Sequence, residues 1–308
     1  MLAVSAAIAA RGRWALIAGL AVGLGSPSAA VAVRPFVGLL VIAVLFLAFL
    51  RIGPAGLRIG RAALGRAAGT ALAFQLALPC AAALVLLGAG LLSGPLALGT
   101  VLILAAAPIT GAAPIAAMAG GDPAPALRQT VIGTVLLPLT VLPVFALAPA
   151  FGDAGAVFGT ALRLLGVIAL AGGAAFMLRT NGVVPDTPGS ATVLDALSAV
   201  LLGIVVVGLM SGAASALREA PSALFGTLAL VSAVAFGLQA LTARLWRTPE
   251  AAAPMAVVAG NRNVALFLGV LPAPLIDELM LVIGCYQIPM YLTPLVLPWL
   301  LRLRAGRR

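Results

Sequence analysis

Two apolar stretches with helix-breaking or polar residues at their centres decide the fold of this chain. The first, residues 102–123, reads LILAAAPITGAAPIAAMAGGDP, and the second, residues 254–272, reads PMAVVAGNRNVALFLGVLP. Proline removes a backbone donor and clashes with the preceding helical turn, while glycine tolerates the resulting bend. We therefore expect both helices to be broken, with hinges at Pro108, Gly111, Pro114 and Gly260. Free backbone groups at membrane depth persist only where protein or a cavity satisfies them.

The composition indicates an integral membrane protein. Of the 308 residues, 63% are hydrophobic and 8% are charged, and the mean hydropathy is +1.21. A soluble domain cannot bury that much apolar surface. The net charge of +10 comes from arginines spaced between apolar runs, which argues against a nucleic-acid partner. The chain has no histidine and its two cysteines lie inside apolar runs, so we predict no metal site, no cofactor and no enzymatic activity.

Apolar runs of about 20 residues, the length that a bilayer requires, predict ten membrane-spanning helices. Their approximate positions are 14–31, 35–50, 68–91, 97–119, 127–149, 156–178, 191–215, 222–243, 252–271 and 279–301. With the amino terminus inside, Arg34 and Arg218 fall in outer loops, Arg163 and Arg262 fall within spans, and the other arginines are cytoplasmic. This bias predicts that both termini are cytoplasmic. The Ala-rich, lysine-free composition points to the inner membrane of a bacterium.

The ten spans divide into two halves of five, at about 14–150 and 156–303, within one transmembrane unit that covers residues 1–308. Each interrupted stretch is the fourth span of its half. Because five is an odd number, the second half must be inverted relative to the first. Paired broken helices in corresponding places of inverted halves are typical of secondary transporters. We therefore predict an all-α membrane protein whose helices 4 and 9 are broken and cross each other.

Arg262 is the most informative single residue. An arginine at the bilayer centre costs at least about 2.5 kcal/mol, so it is retained only where it is paired or faces water. It either supplies a counter-charge for an anionic solute or bonds the loose carbonyls of the broken helix and pins the crossing, and we favour the counter-charge. Asn261 and Asn263 flank it, and each is expected to cap a half-helix or to contact the solute.

Four further polar residues are candidates for the same site. Gln75 lies in the third span, where an amide needs a partner, and a packing role and a solute contact both stay open for it. Thr110, Thr130 and Thr134 are placed so that their hydroxyls can reach the same region. A threonine in a helix also bonds the preceding turn, and for each of the three taken singly that is the simpler interpretation.

The segments GGDPA at 120–124, TVIGTVLLP at 130–138 and AGNRNVALFLGV at 259–270 resemble the bile acid:sodium symporter family in its broad bacterial sense. The resemblance covers nearly the whole chain in span order. It implies ten helices in two inverted repeats, a panel domain and a core domain that move to give alternating access, and transport of an organic anion, often with sodium. The family's third-helix glutamine falls on Gln75, and its threonine-rich start of helix five is partly kept.

The chain departs from the family pattern at the positions that hold sodium. The family's fourth-helix Ser-Asn pair falls on Ala112 and Ala113, and its helix-nine acidic residue and glutamine fall on Val258 and Arg262. The resemblance therefore implies that sodium coupling is weakened or absent. It also implies that the Arg262 guanidinium stands where a bound cation would help to hold the crossing.

These observations predict a secondary transporter of a small organic anion, surrounded by membrane lipids. Two alternatives stay open. One is a permease or effluxer of a neutral or inorganic solute, in which Arg262 is only a strut. The other is a membrane assembly subunit that transports nothing. The sequence leaves open the identity of the solute, the coupling ion (sodium, proton or none), the direction of travel and the oligomeric state.

Overall fold

The computed structural model describes residues 5–7, 12–57, 60–246 and 248–305, and within these ranges the chain is helical and forms no β-strand. The helices are α1 Gly12–Gly25, α2 Pro27–Ile52, α3 Arg61–Gly88, α4 Pro95–Ala105, α5 Ala112–Met118, α6 Pro123–Ala146, α7 Ala154–Thr180, α8 Pro188–Glu219, α9 Pro221–Leu245, α10 Pro249–Gly260 and α11 Ala273–Ala305. Three of the long helices have local irregularities: a 3₁₀ turn at Arg34–Phe36 in α2, a π turn at Ala73–Ala77 in α3, and a bend at Met210 in α8.

Seven helices are long and apolar enough to cross a membrane, namely α2, α3, α6, α7, α8, α9 and α11. Each exceeds the roughly 20 residues that span a hydrocarbon core. Five of them contain a predicted span, and α3 and α6 end three residues before the predicted ends of 68–91 and 127–149. The coarse prediction, an all-helical chain with several helices long and apolar enough to span a membrane, is therefore confirmed. The remaining three predicted spans are made of shorter helices.

The first predicted span, 14–31, crosses a boundary between two helices. Helix α1 ends at Gly25, Ser26 leaves the helical conformation, and Pro27 begins α2. Proline fixes its own backbone angle and disfavours a helical residue before it, so a new helix starts there. The 14 residues of α1 rise about 21 Å, which is less than the roughly 30 Å of a hydrocarbon core.

The two stretches that decide the fold are both interrupted. Helix α4 stops at Ala105 and α5 begins at Ala112, so Pro108 and Gly111 lie in the gap, whereas Pro114 lies inside α5. Helix α10 stops at Gly260, and the chain continues through residues 261–263 into a 3₁₀ helix, Val264–Gly269. We call residues 106–111 the first break and residues 261–263 the second break.

The helices form two groups, which also contact each other along α6 and α7 and along α8 and α11. Helices α1 and α2 lie against α8, and α7 lies against α2, which makes α1, α2, α7 and α8 a four-helix group. The backbones of α1 and α8 approach so closely that a methyl group on Gly19 would lie 2.5 Å from the carbonyl oxygen of Gly203. The other helices, α3 to α6 and α9 to α11, pack around the two breaks and form the crossing group. The boundary between these two groups positions the candidate site.

Candidate functional site

The two breaks meet inside the protein and satisfy each other's backbone. The N–H of Ile109 donates to the carbonyl of Asn261 at 3.0 Å, and the N–H of Asn263 donates to the carbonyl of Ala107 at 2.7 Å. The two segments run antiparallel at this point. Pro108, between the two first-break partners, has no N–H of its own to satisfy. Buried backbone groups outside a helix need partners, and here each break supplies them to the other.

The Arg262 guanidinium binds three backbone carbonyls from three different parts of the chain. Its Nε donates to the oxygen of Ala259 at 3.1 Å, near the end of α10. Its Nη1 donates to the oxygen of Ala106 at 3.2 Å, in the first break, and its Nη2 to the oxygen of Phe74 at 3.1 Å, in the π turn of α3. Helix ends and irregular turns leave carbonyls without helical partners. One side chain therefore links α3, the first break and the second break.

The positive charge of Arg262 is not paired with the carboxylate of any described residue. Only 1% of the residue is exposed, and the guanidinium carbon lies 5.5 Å from the centre of the Phe74 ring. The ion pairs formed by described residues lie elsewhere: Arg34–Asp277, Arg51–Asp195 and Arg179–Asp186. Carbonyl dipoles and an aromatic face stabilise the cation in place of an acid.

Tyr286 of α11 forms hydrogen bonds with the backbone at the second break, a contact that the sequence did not predict. Its hydroxyl accepts from the N–H of Arg262 at 2.8 Å and donates to the carbonyl of Gly260 at 2.7 Å. Both groups lose their helical partners where α10 stops, because the next residues are not helical. The only sign of this in the sequence is that tyrosine is rare: the chain has two tyrosines, and both lie in this helix.

Asn261 is turned away from the guanidinium and into a buried polar cluster. Its Oδ1 accepts from Gln239 Nε2 and from Thr293 Oγ1, both at 2.9 Å, and its Nδ2 donates to the carbonyl of Met290 at 3.2 Å. Gln239 Nε2 also lies 2.9 Å from Thr293 Oγ1. These bonds join the second break to α9 and α11, and none of them caps a half-helix. Gln239, which had no part in the prediction, gave no signal beyond being an amide in an apolar helix.

Gln75 occupies a comparable place beside the first break. It is fully buried in the π turn of α3, and its Nε2 donates to the carbonyl of Gly133 in α6 at 3.0 Å. Its Oε1 is buried without a hydrogen-bond partner, as is the Oε1 of Gln239. In each case, a glutamine from the helix that precedes a broken helix reaches the helix that follows the broken one.

The threonines proposed for the site are divided between two environments. Thr130 is buried, and its hydroxyl lies 3.0 Å from the carbonyl of Ala126 and 3.3 Å from that of Ile109, so it bonds either the preceding turn or the first break. Thr134 is buried one turn further along α6. Thr110 is partly exposed at the first break and lines the cleft described next.

A narrow cleft runs along the boundary between the two helix groups. It has a volume of about 30 Å³, enough for one or two water molecules. Its apolar side is formed by the four-helix group, and its polar side by the breaks and α11. The lining residues include Val41, Val44, Leu202, Val205, Leu209, Thr110, Arg262, Asn263, Gln287 and Tyr291. The structure thus brings three of the predicted site residues to the cleft, and Gln75, Asn261, Thr130 and Thr134 are not among the residues that line it.

The positions at which the resembled family holds sodium are apolar and buried here. Ala112 and Val258 have no exposed surface, and Ala113 is partly buried against the same core. Within the described ranges, no group of three or more Cys, Asp or Glu residues is arranged to hold a metal ion.

No protein-family model matches the sequence, and no curated protein matches it. Functional inference therefore rests on the contacts of this chain's own residues.

Proposed function

We propose that this protein is a secondary transporter that carries a small organic anion across the membrane without coupling to sodium. The observation that carries the proposal is the position of Arg262. Its uncompensated cation lies at the meeting point of two broken helices and borders a cleft between two helix groups.

The charge of this region favours an anionic solute. A cation buried without a carboxylate keeps part of its desolvation cost, and an anion that enters the cleft lowers that cost. A guanidinium has five N–H donors, and Arg262 directs three of them at carbonyls, which leaves two for a ligand. Thr110 and Asn263 add neutral polar groups at the same end of the cleft. The facing valines and leucines of α2 and α8 suit an apolar part of the solute.

The arrangement of the helices supports a transporter of ten segments in two inverted halves. In this interpretation α1, the α4–α5 pair and α10 with its 3₁₀ continuation supply the first, fourth and ninth segments. The two breaks fall in corresponding places of the halves, and so do Gln75 and Gln239. A binding site at the contact of two discontinuous helices is the arrangement found in transporters built from inverted repeats.

The contacts of Arg262 also support independence from sodium. A monovalent cation at the crossing would be held by carbonyl oxygens, and three of these already accept from the guanidinium. Ala112, Ala113 and Val258 contribute no oxygen side chains. A second cation beside the guanidinium would meet direct repulsion in a region of low dielectric constant. We infer that Arg262 is a permanent internal cation, which removes the need for a bound one.

A second candidate function is the permeation of a neutral solute. The observation in its favour is that Arg262 is 1% exposed and bonded to three carbonyls, which is the geometry of a strut. In that case the polar wall of the cleft, with Asn263, Gln287 and Tyr291, would select the solute without a charge.

Thermal unfolding of the detergent-solubilised protein tests both candidates. We expect short organic carboxylates to raise the melting temperature, and their neutral amides to have no effect. The rise should be equal in sodium chloride and potassium chloride. It should be lost in Arg262→Gln and kept in the control Arg218→Gln, which removes an exposed arginine at the end of α8.

Three outcomes argue against the proposal. Stabilisation by the amides alone would favour the neutral-solute permease. Stabilisation that requires sodium would show that a coupling site survives. If no solute in a broad panel stabilises the protein, an assembly subunit without transport becomes the better hypothesis.

A further inference from the structure

The boundary between the two helix groups has two ends, which α2 defines. Arg34 lies near the start of this helix and Arg51 near its end, and the cleft-lining residues Val41 and Val44 lie between them. We call the corresponding ends of the boundary the Arg34 end and the Arg51 end.

At the Arg34 end, polar side chains join one helix group to the other. Arg34 of α2 forms an ion pair with Asp277 at the start of α11. Arg163 of α7 donates to the carbonyl of Val270 at 3.4 Å, and Val270 directly follows the 3₁₀ helix Val264–Gly269. Both arginines belong to the four-helix group, and both acceptors belong to the crossing group.

Close backbone packing closes the same end. A methyl group added at Gly212 of α8 would lie 2.6 Å from the carbonyl carbon of Met280 in α11. One added at Gly284 of α11 would lie 2.7 Å from the carbonyl oxygen of Leu209 in α8. The two helices are therefore in backbone contact here, and no solute passes between them without separation of the groups.

At the Arg51 end, three polar contacts each stay within one helix group. Arg51 pairs with Asp195 at 2.9 Å, which joins α2 to α8. Arg179 donates to the carbonyl of Leu50 at 2.7 Å, which joins α7 to α2. Within the crossing group, Gln129 donates to the carbonyl of Ala67. These contacts strengthen each group and do not tie one to the other.

We propose that the Arg34 end is a releasable gate, shut in this structure by the Arg34–Asp277 pair, the Arg163 bond and the backbone contact of α8 with α11. This inference rests on the proposed transport function, because only a transporter needs the boundary to open. The bonds that hold the gate suit repeated release. The ion pair is partly solvated, with 32% and 63% of its side chains exposed, and such pairs contribute little stability. Ser211, next to Gly212, buries its hydroxyl without a partner, so the closed packing is not fully satisfied.

Cross-linking across the gate tests the inference, with the Arg51 end as a matched control. The two native cysteines are first replaced, as Cys80→Ala and Cys285→Ala. Arg34→Cys with Asp277→Cys is then compared with Arg51→Cys with Asp195→Cys, each treated with a short bifunctional thiol reagent in proteoliposomes. We expect solute exchange to fall to background only in the first pair, because that link alone joins the two groups.

A second measurement does not depend on transport. A cysteine introduced by Val41→Cys lines the cleft, and a membrane-impermeant thiol reagent is added from the Arg34 side. We expect Arg34→Gln to raise the labelling rate about two- to fivefold, the effect that loss of an exposed ion pair can have on the open population. Arg51→Gln, the control, should leave the rate unchanged.

The outcomes separate the gate from the transport proposal. Equal labelling rates in Arg34→Gln and Arg51→Gln, or full exchange after cross-linking of the first pair, would overturn the gate. A third outcome is that the protein shows no solute exchange before cross-linking, while labelling still responds to Arg34→Gln. This outcome would refute transport but support a gate that opens for another purpose.

Discussion

Removal of the Arg262 side chain should loosen the crossing, and free guanidinium should restore it. Arg262→Ala deletes the donors to Ala259, Ala106 and Phe74 and leaves a space shaped by their carbonyls. A buried acceptor that loses its donor costs about 1–3 kcal/mol. Three such losses give about 3 kcal/mol at the low end of the range, less whatever water entering the space recovers. The desolvation cost of the charge also disappears, so we expect a net destabilisation of about 2–3 kcal/mol.

The assay is thermal unfolding of purified Arg262→Ala in detergent, with guanidinium chloride titrated from zero to concentrations far below those that denature proteins. We expect the melting temperature to be lower than that of the unsubstituted protein and to recover as guanidinium fills the space. Sodium and potassium chloride at equal ionic strength control for the salt. Arg262→Lys retains the charge but not the three-way geometry of the guanidinium, and should recover only part of the stability.

Two results would refute this reasoning. If Arg262→Ala melts like the unsubstituted protein, the three carbonyl bonds contribute no measurable stability. If sodium restores the variant as well as guanidinium does, the carbonyls form a general cation site and the shape of the side chain is unimportant.

Two further predictions follow from single contacts, and a third follows from the distribution of arginines. Gly133→Ala places a methyl group 2.5 Å from Gln75 Oε1, and should lower the free energy of unfolding by about 1–3 kcal/mol. Gly166→Ala is the control, because Gly166 has open space around it, and should cause no such loss. Thermal unfolding of the two variants measures the difference. Tyr286→Phe removes the hydroxyl that bridges an N–H and a C=O of the second break, and should destabilise the protein by about 2 kcal/mol or more, measured in the same way. The distribution of arginines predicts a cytoplasmic carboxy terminus. A reporter that works only in the cytoplasm should therefore be active when fused there. Activity only of a reporter that works outside the cytoplasm would reverse the proposed topology.

Most of the helical architecture was predictable because lipid exposure requires long apolar segments, and these are visible in the composition. The interruptions near Pro108 and Gly260 were also predictable, since proline and glycine act locally on the backbone. The sequence Ser26-Pro27-Ser28 also marks an interruption of the first span, and the structure ends α1 there, although hydropathy alone gives no boundary because the residues on both sides are equally apolar.

The contacts of the candidate site were less accessible from the sequence. An arginine in an apolar run shows that a partner is needed, but backbone carbonyls as partners leave no pattern in the sequence. The bonds of Arg262 join residues up to 188 positions apart, and depend on how α3 and the breaks pack. Tyr286 and Gln239 were missed for the same reason, because their roles depend on groups that a neighbouring helix end leaves unpaired.

The reciprocal pairing of the two breaks has a consequence for biosynthesis. Ala106 and Ala107 meet their partners, Arg262 and Asn263, only after about 150 further residues have been made. Until then the carbonyls of these two residues lack the partners that they have in the folded protein, and buried backbone groups without partners are costly. The first break therefore reaches its final packing only after the second break has been synthesised and has packed against it.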